Sequence, residues 1–177
     1  MKIGIAGCGG IGSNVAMFLA RAGVDNFKLV DFDKIEESNL NRQFYFKEQI
    51  GKYKSEVLKE NLLKIDNSLV FENMIVKISS ENIKNIFDDC DIIVEAFDKK
   101  EYKILLIEHY RDKMVVCANG IGGRDLESIT YKKMKNLHIY GDFYSDISKY
   151  KTYSTKVSII AAMMANKILD YLEEINE

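Results

Sequence analysis

The chemistry this sequence offers rests on a glycine cluster, two cations and two acids. Gly7, Gly9 and Gly12 fit G-x-G-x-x-G directly after an apolar run (Ile3, Ile5, Ala6) and directly before a helical pattern. In that setting the first glycine permits a tight turn and the second lets backbone approach a phosphate. The third lets helix and strand pack closely. The helix N-terminus then presents free N–H groups and a positive dipole end to an anion. Arg42 offers phosphate oxygens a planar fork, and Lys54 a compact point charge. Asp98 closes an apolar run and is a candidate Mg²⁺ ligand, because Mg²⁺ takes one or two carboxylates plus phosphate oxygens. Asp31 lies ~20 residues past the glycine loop, at the tip of a second strand, where an acid suits ribose hydroxyls.

Each of these has a plainer reading. Asp31 could be a solvated loop acid, and Arg42 could simply brace its turn through bonds to backbone. Lys54 could be one more solvated lysine on its helix. Asp98 and Glu101 have the N-cap and N3 spacing of a helix start.

The elements that must position these groups alternate strand and helix. Strands are expected at 3–6, 27–32, 69–76, 91–98 and 114–118. The first helix carries Ile11, Val15, Phe18 and Leu19, with Gly23 as its C-cap. Ser38 is the expected cap of a short polar turn or helix. A second helix opens at Gly51-Lys-Tyr-Lys54 and runs to about residue 65, with Val57, Leu58, Leu62 and Ile65 on one face. Ser79 or Ser80 should cap a short helix bearing Ile83, Ile86 and Phe87. Another helix should begin at Asp98 and reach about Arg111. Segments 128–132 and 137–140 read as an antiparallel hairpin. Residues 141–155, polar and tyrosine-rich, read as an exposed loop. A last helix, 156–174, carries Val157, Ile160, Ala161, Met164, Ile168 and Leu172 on one face. The expectation is one α/β domain over 1–177: a Rossmann-like three-layer αβα fold with a mostly parallel sheet extended by the C-terminal hairpin.

Composition narrows the field. With 177 residues, 47% hydrophobic and 29% charged, the chain is ordinary for a globular domain, and at net charge −2 its lysines and arginines are interspersed with acids. No basic block argues for nucleic acid, and no apolar run approaches the ~20 residues of a membrane span. Residue 3 already belongs to the first strand, so no signal peptide is expected. The 3 cysteines (Cys8, Cys90, Cys117) are scattered and odd in number, which points to a reducing, cytoplasmic setting. They lack metal-ligand spacing, so no zinc is expected. His109 and His138 stand alone and are read as structural. No Ser-His-Asp constellation is present.

Taken together, five blocks resemble a known family. Gly7-x-Gly9-Gly10-x-Gly12, Val30-Asp31-Phe-Asp33, Ser38-Asn39-Leu-x-Arg42-Gln43, Gly51-x-x-Lys54 and Glu95-Ala-Phe-Asp98 occur in that order. The pattern resembles the ThiF/MoeB family of ubiquitin-activating-like adenylating enzymes, and most of all its short ThiF-type members linked to thiamine thiazole synthesis. The Asn-Leu-x-Arg-Gln block followed by Gly-x-x-Lys is its specific part, and the likeness runs along nearly the whole chain.

The resemblance implies ATP and Mg²⁺ as cofactors. It implies adenylation of the C-terminal Gly-Gly carboxylate of a ubiquitin-like (β-grasp) sulfur-carrier protein by a homodimeric cytoplasmic enzyme. By the same resemblance, Gly7, Gly9, Gly10, Gly12, Asp31, Asp33, Asn39, Arg42, Gln43 and Lys54 would hold the nucleotide. Arg42, Lys54 and Asp98 would be catalytic, with Asp98 serving Mg²⁺. The absence of C-x-x-C pairs, and of any cysteine after Cys117, departs from relatives that carry zinc or relay sulfur. The same glycine loop and ribose acid would also suit an NAD-dependent oxidoreductase. A non-catalytic nucleotide binder, or a member that acts on a small molecule or tRNA, also fits the blocks.

Overall fold

The structure is a computed structural model that describes residues 1–175. Its strands are β1 (Ile3–Ala6), β2 (Asn26–Val30), β3 (Val70–Met74), β4 (Ile92–Glu95), β5 (Met114–Ala118), β6 (Thr130–Met134) and β7 (Leu137–Gly141). Its α-helices are α1 (Gly10–Arg21), α2 (Lys54–Leu63), α3 (Ile83–Ile86), α4 (Lys100–His109) and α5 (Ser154–Glu174). The 7 strands form one sheet in the order β3-β2-β1-β4-β5-β7-β6. Every neighbouring pair is parallel except β6 with β7. This is the expected Rossmann-like layering with its appended hairpin.

Side-chain alternation along each strand divides the core in two. Ile3, Ile5, Ile92, Val94, Met114 and Val116 face α1, α2 and α5, where Val15, Leu19, Leu58, Val157, Ile160 and Met164 meet them. Ala6, Ile93 and Val115 face the opposite layer of Ile83, Phe87, Leu106 and Tyr110 from α3 and α4. Burying a large apolar side chain of this kind contributes roughly 1.5–3 kcal/mol.

Several boundaries differ from the sequence reading, each for a local reason. β2 stops at Val30 because the Asp31 carboxylate turns the chain, accepting the Asp33 N–H at 2.7 Å. α4 starts at Lys100 with Lys99 as N-cap, so Asp98 is not its cap. The short helix α3 is preceded by Asn82, whose side chain accepts the Ser79 N–H at 2.8 Å; no serine hydroxyl caps it. The 3-10 turn Glu37–Asn39 is likewise closed by Asn39, which accepts the Glu36 N–H at 3.0 Å, and not by Ser38. Ser128 belongs to a turn built on Asp125, which delays β6 to Thr130.

Residues 141–155 are not the wholly exposed loop that their polarity suggests. Gly141 ends β7, Ser154 opens α5, and Asp142 and Ser145 are buried. The cause is Lys156, which has 0% exposure. Its ammonium donates to the Asp142 carboxylate at 2.5 Å and the Gly122 carbonyl at 2.8 Å. Burial works to raise the Asp142 carboxyl, but the bond from Lys156, with others from Ser145 and Tyr144, holds it below the usual carboxylate value.

Candidate active site

At the carboxyl edge of the parallel strands the connecting turns enclose a cleft of about 1140 Å³. Open α/β sheets bind ligands at this edge. Gly7, Gly9, Gly10, Asp31, Asp33, Asn39, Arg42, Gln43, Lys54 and Asp98 all line it. Residues up to 91 positions apart in sequence (Gly7 and Asp98) therefore meet in one cavity. Gly12 lies outside the lining and is buried in α1, where it packs on the strand-to-helix turn.

The glycine turn is fixed from several sides. Gly7 has φ +95°, and its N–H reaches the Val30 carbonyl at 2.9 Å. The Cys8 N–H donates to the Asp31 carboxylate at 2.7 Å, and the Cys8 carbonyl accepts the Tyr45 hydroxyl at 2.7 Å. Gly9 is the N-cap of α1 and carries no side chain to satisfy the first N–H groups, which leaves the helix start open to an anion. Asp31, the expected ribose acid, has a structural part here. It ties the glycine turn to the end of β2. Burial raises its carboxyl above the usual value, with Lys54 opposing most strongly.

Arg42 is held through its backbone. Asn14 on α1 donates to the Arg42 carbonyl at 2.8 Å, and the Arg42 N–H bonds the Asn39 carbonyl at 3.1 Å. Nη1 donates to the Ser38 carbonyl at 3.0 Å and to Asn41 Oδ1 at 2.8 Å. The bracing that the sequence allowed is therefore real, yet Nε and Nη2 make no bond to any described residue. Burial lowers the Arg42 pKa from its usual value. Lys54 is 7% exposed and pairs with Asp33 at 3.1 Å, so it is not a solvated lysine. Gln43 is also buried, and its Oε1 has no partner among the described residues. Such a gap beside a cleft is of the kind that a bound ligand or water fills.

Asp98 is exposed on the turn after β4 and makes no hydrogen bond or ion pair with any described residue. Below it Glu95, at 0% exposure, pairs with Lys103 at 2.5 Å. Burial pushes the Glu95 carboxyl up, and Lys103 opposes the shift.

Sequence reasoning missed the second layer of this site. Ser13 and Asn14 are buried polar residues on α1, and the Ser13 hydroxyl accepts the Phe44 N–H at 3.1 Å. The available signal was a pair of polar residues on an otherwise apolar helix face, directly after the last glycine. Phe143 was also missed. It lines the cleft with φ +64°, a backbone conformation that bulky residues rarely adopt.

The ThiF family model matches residues 1–177. The chain belongs to the ThiF family. Among relatives, this ThiF-family chain is 39% identical over 106 residues to "Adenylyltransferase and sulfurtransferase MOCS3" of Caenorhabditis briggsae, covering 58% of the chain and 26% of that protein. It is 37% identical over 100 residues to SUMO-activating enzyme subunit 2 of Dictyostelium discoideum, covering 55% and 15%. The matched region thus spans about a quarter or less of the first curated relatives, at 26% and 23% of their length. Among solved structures, E. coli TcdA, a tRNA N6-threonylcarbamoyladenosine dehydratase in complex with AMP, superposes with TM-score 0.85 at 18% identity, over 98% of this chain and 87% of that one. E. coli MccB with AMPCPP and MccA gives TM-score 0.74 at 24% identity, over 98% and 56%. At these identities the structural likeness establishes the fold.

Proposed function

We propose that this ThiF-family chain binds ATP in the cleft and adenylates the C-terminal carboxylate of a small protein. The substrate we favour is a β-grasp sulfur carrier ending in Gly-Gly, of the kind that supplies thiamine thiazole synthesis. The observation that carries the reading is that Arg42, Lys54 and Asp98 line one cavity together with Gly7, Gly9 and Gly10 of the glycine turn. Relatives named adenylyltransferases support it, as does the similar fold that holds AMP.

In this reading the carrier's carboxylate oxygen bonds to the α-phosphorus while the bond to the bridging oxygen breaks. Pyrophosphate leaves with that electron pair, and an acyl-adenylate remains. A carboxylate approaching a polyanion needs charge neutralised and atoms aligned rather than a general base. The N-terminus of α1 and Arg42 meet phosphate oxygens, Lys54 adds a fixed positive charge, and Asp31 orients the ribose.

No group of three or more His, Cys, Asp and Glu among the described residues could hold a metal alone. One unpaired carboxylate, Asp98, fits Mg²⁺ only where the nucleotide supplies most of the oxygens, which is the usual arrangement for this ion. When bound, Mg²⁺ would neutralise phosphate charge.

The test is pyrophosphate exchange. With MgATP, labelled pyrophosphate and candidate β-grasp proteins ending in Gly-Gly, label is expected to enter ATP only when carrier is present. A carrier truncated by its last two residues should give none. Tight NAD binding with no ATP binding would overturn the reading in favour of an oxidoreductase.

A further inference from the structure

Glu95 is an anomaly among the strand ends. β1, β2 and β5 finish in Ala6, Val30 and Ala118, whereas β4 finishes in a carboxylate with 0% exposure. A buried ion pair is a weak source of stability, because desolvating two charges offsets their attraction. An apolar pair would fill the same space at lower cost, so the bonds made by Glu95 and Lys103 need another explanation.

Those bonds converge on one turn. Glu95 Oε1 accepts the Phe97 N–H at 2.8 Å, and Oε2 accepts from Lys103 Nζ at 2.5 Å. Lys103 Nζ also donates to the Ala118 carbonyl at the end of β5, at 3.2 Å. The next residue after Phe97 is Asp98, which has no partner of its own among the described residues. No side chain caps α4 behind it. Phe97, Asp98, Lys103 and Ala118 all line the cleft.

We propose that Glu95 and Lys103 are a positioning pair. They hold the turn that carries Asp98, and through it they set how well the cleft keeps a divalent cation against bound nucleotide. The proposal rests on the reading of the cleft as an ATP site with Asp98 toward the metal. Neither residue needs to touch the nucleotide. Glu95 locks the backbone one residue before Asp98, and Lys103 holds the Glu95 carboxyl in place from α4. Without Lys103 a lone buried carboxylate would take up a proton or draw in water, and the Phe97 anchor would loosen.

The experiment is calorimetric titration of ATP into the full chain, once in EDTA and once in Mg²⁺. The quantity read is the gain in affinity that Mg²⁺ brings. For Lys103→Met the Mg²⁺ gain should shrink by about tenfold or more, the usual cost of removing a group that orients a metal ligand. Lys103→Arg, which keeps the charge and can reach both acceptors, should restore the gain. Glu95→Gln cannot satisfy Phe97 and Lys103 together, so it should lose the gain too, and it covers the case in which Lys103→Met does not fold. A wild-type Mg²⁺ gain in either folded neutral variant would overturn the positioning role and leave the ATP reading intact. Failure of the wild-type chain to bind ATP in either condition would overturn the ATP reading and the positioning role with it.

Discussion

Arg42→Ala should lower carrier-dependent pyrophosphate exchange by about a thousandfold, the upper range for losing one charged donor to a developing anion. The chain should remain folded, because the Arg42 backbone is held by Asn14 and Asn39 and not by its guanidinium. What disappears is a half-buried cation whose Nε and Nη2 are free of described partners. Lys54, the other cation assigned to the phosphates, is paired with Asp33 and offers a point charge rather than a second planar fork. Arg42→Lys should fall between the two, retaining charge while losing the planar fork. Exchange rates and melting curves measured side by side decide the matter. Exchange by Arg42→Ala within about threefold of wild type would reduce Arg42 to a brace for its own turn.

Gly12→Ala should cost about 3 kcal/mol or more of stability, at the severe end for a single added methyl. A Cβ at residue 12 would stand 1.9 Å from the Gly7 carbonyl oxygen and 3.1 Å from Ile5 Cγ2. The first obstacle is backbone, and that backbone cannot yield. Gly7 already sits at φ +95°, is bonded to Val30, and has its own Cβ position 3.0 Å from the Ala96 carbonyl. Relief would require α1 to slide along the sheet and give up its packing on α5. Urea denaturation compares it with Gly9→Ala, where the added atom meets only Gln43 Nε2 at 3.8 Å. Equal midpoints for the two variants would show that the close approach of helix to turn is not what residue 12 enforces.

The parts of this molecule that were legible in its sequence are those governed by local pattern. The run from Ile3 to Ala6, the glycines after it and the stripe of α1 specify one another within twenty residues, and β5 falls on the expected 114–118. Lys54 and Asp98 could be placed near one cleft because one opens a helix and the other follows a strand at the ligand-binding edge, and Arg42 because it sits in the polar turn between β2 and α2. The rest depends on partners that no local pattern announces. Lys156 reads as a polar residue at a helix start until Asp142, 14 positions earlier, is found beneath it. Lys103 reads as a solvated helical lysine, and Glu95 as one acid in a strand, until they prove to be bonded 8 residues apart. Asp31 is expected to meet ribose hydroxyls, and no local pattern announces that each of its oxygens also accepts a backbone N–H. The shared cause is buried charge. Hydropathy assigns such residues to solvent, and only tertiary pairing brings them inside.

The buried lysine beneath the segment after β7 also sets the mechanics of that segment. Asp142 and Ser145 are fastened to α5 through Lys156, and Gly123 accepts no slack on the far side, its N–H bonded to the Lys151 carbonyl at 2.9 Å. Only the exposed arc 146–150 is left without such fastening. If the cleft takes a carrier's tail as proposed, that tail meets a margin pinned from below by a buried ion pair, with the exposed arc 146–150 above it.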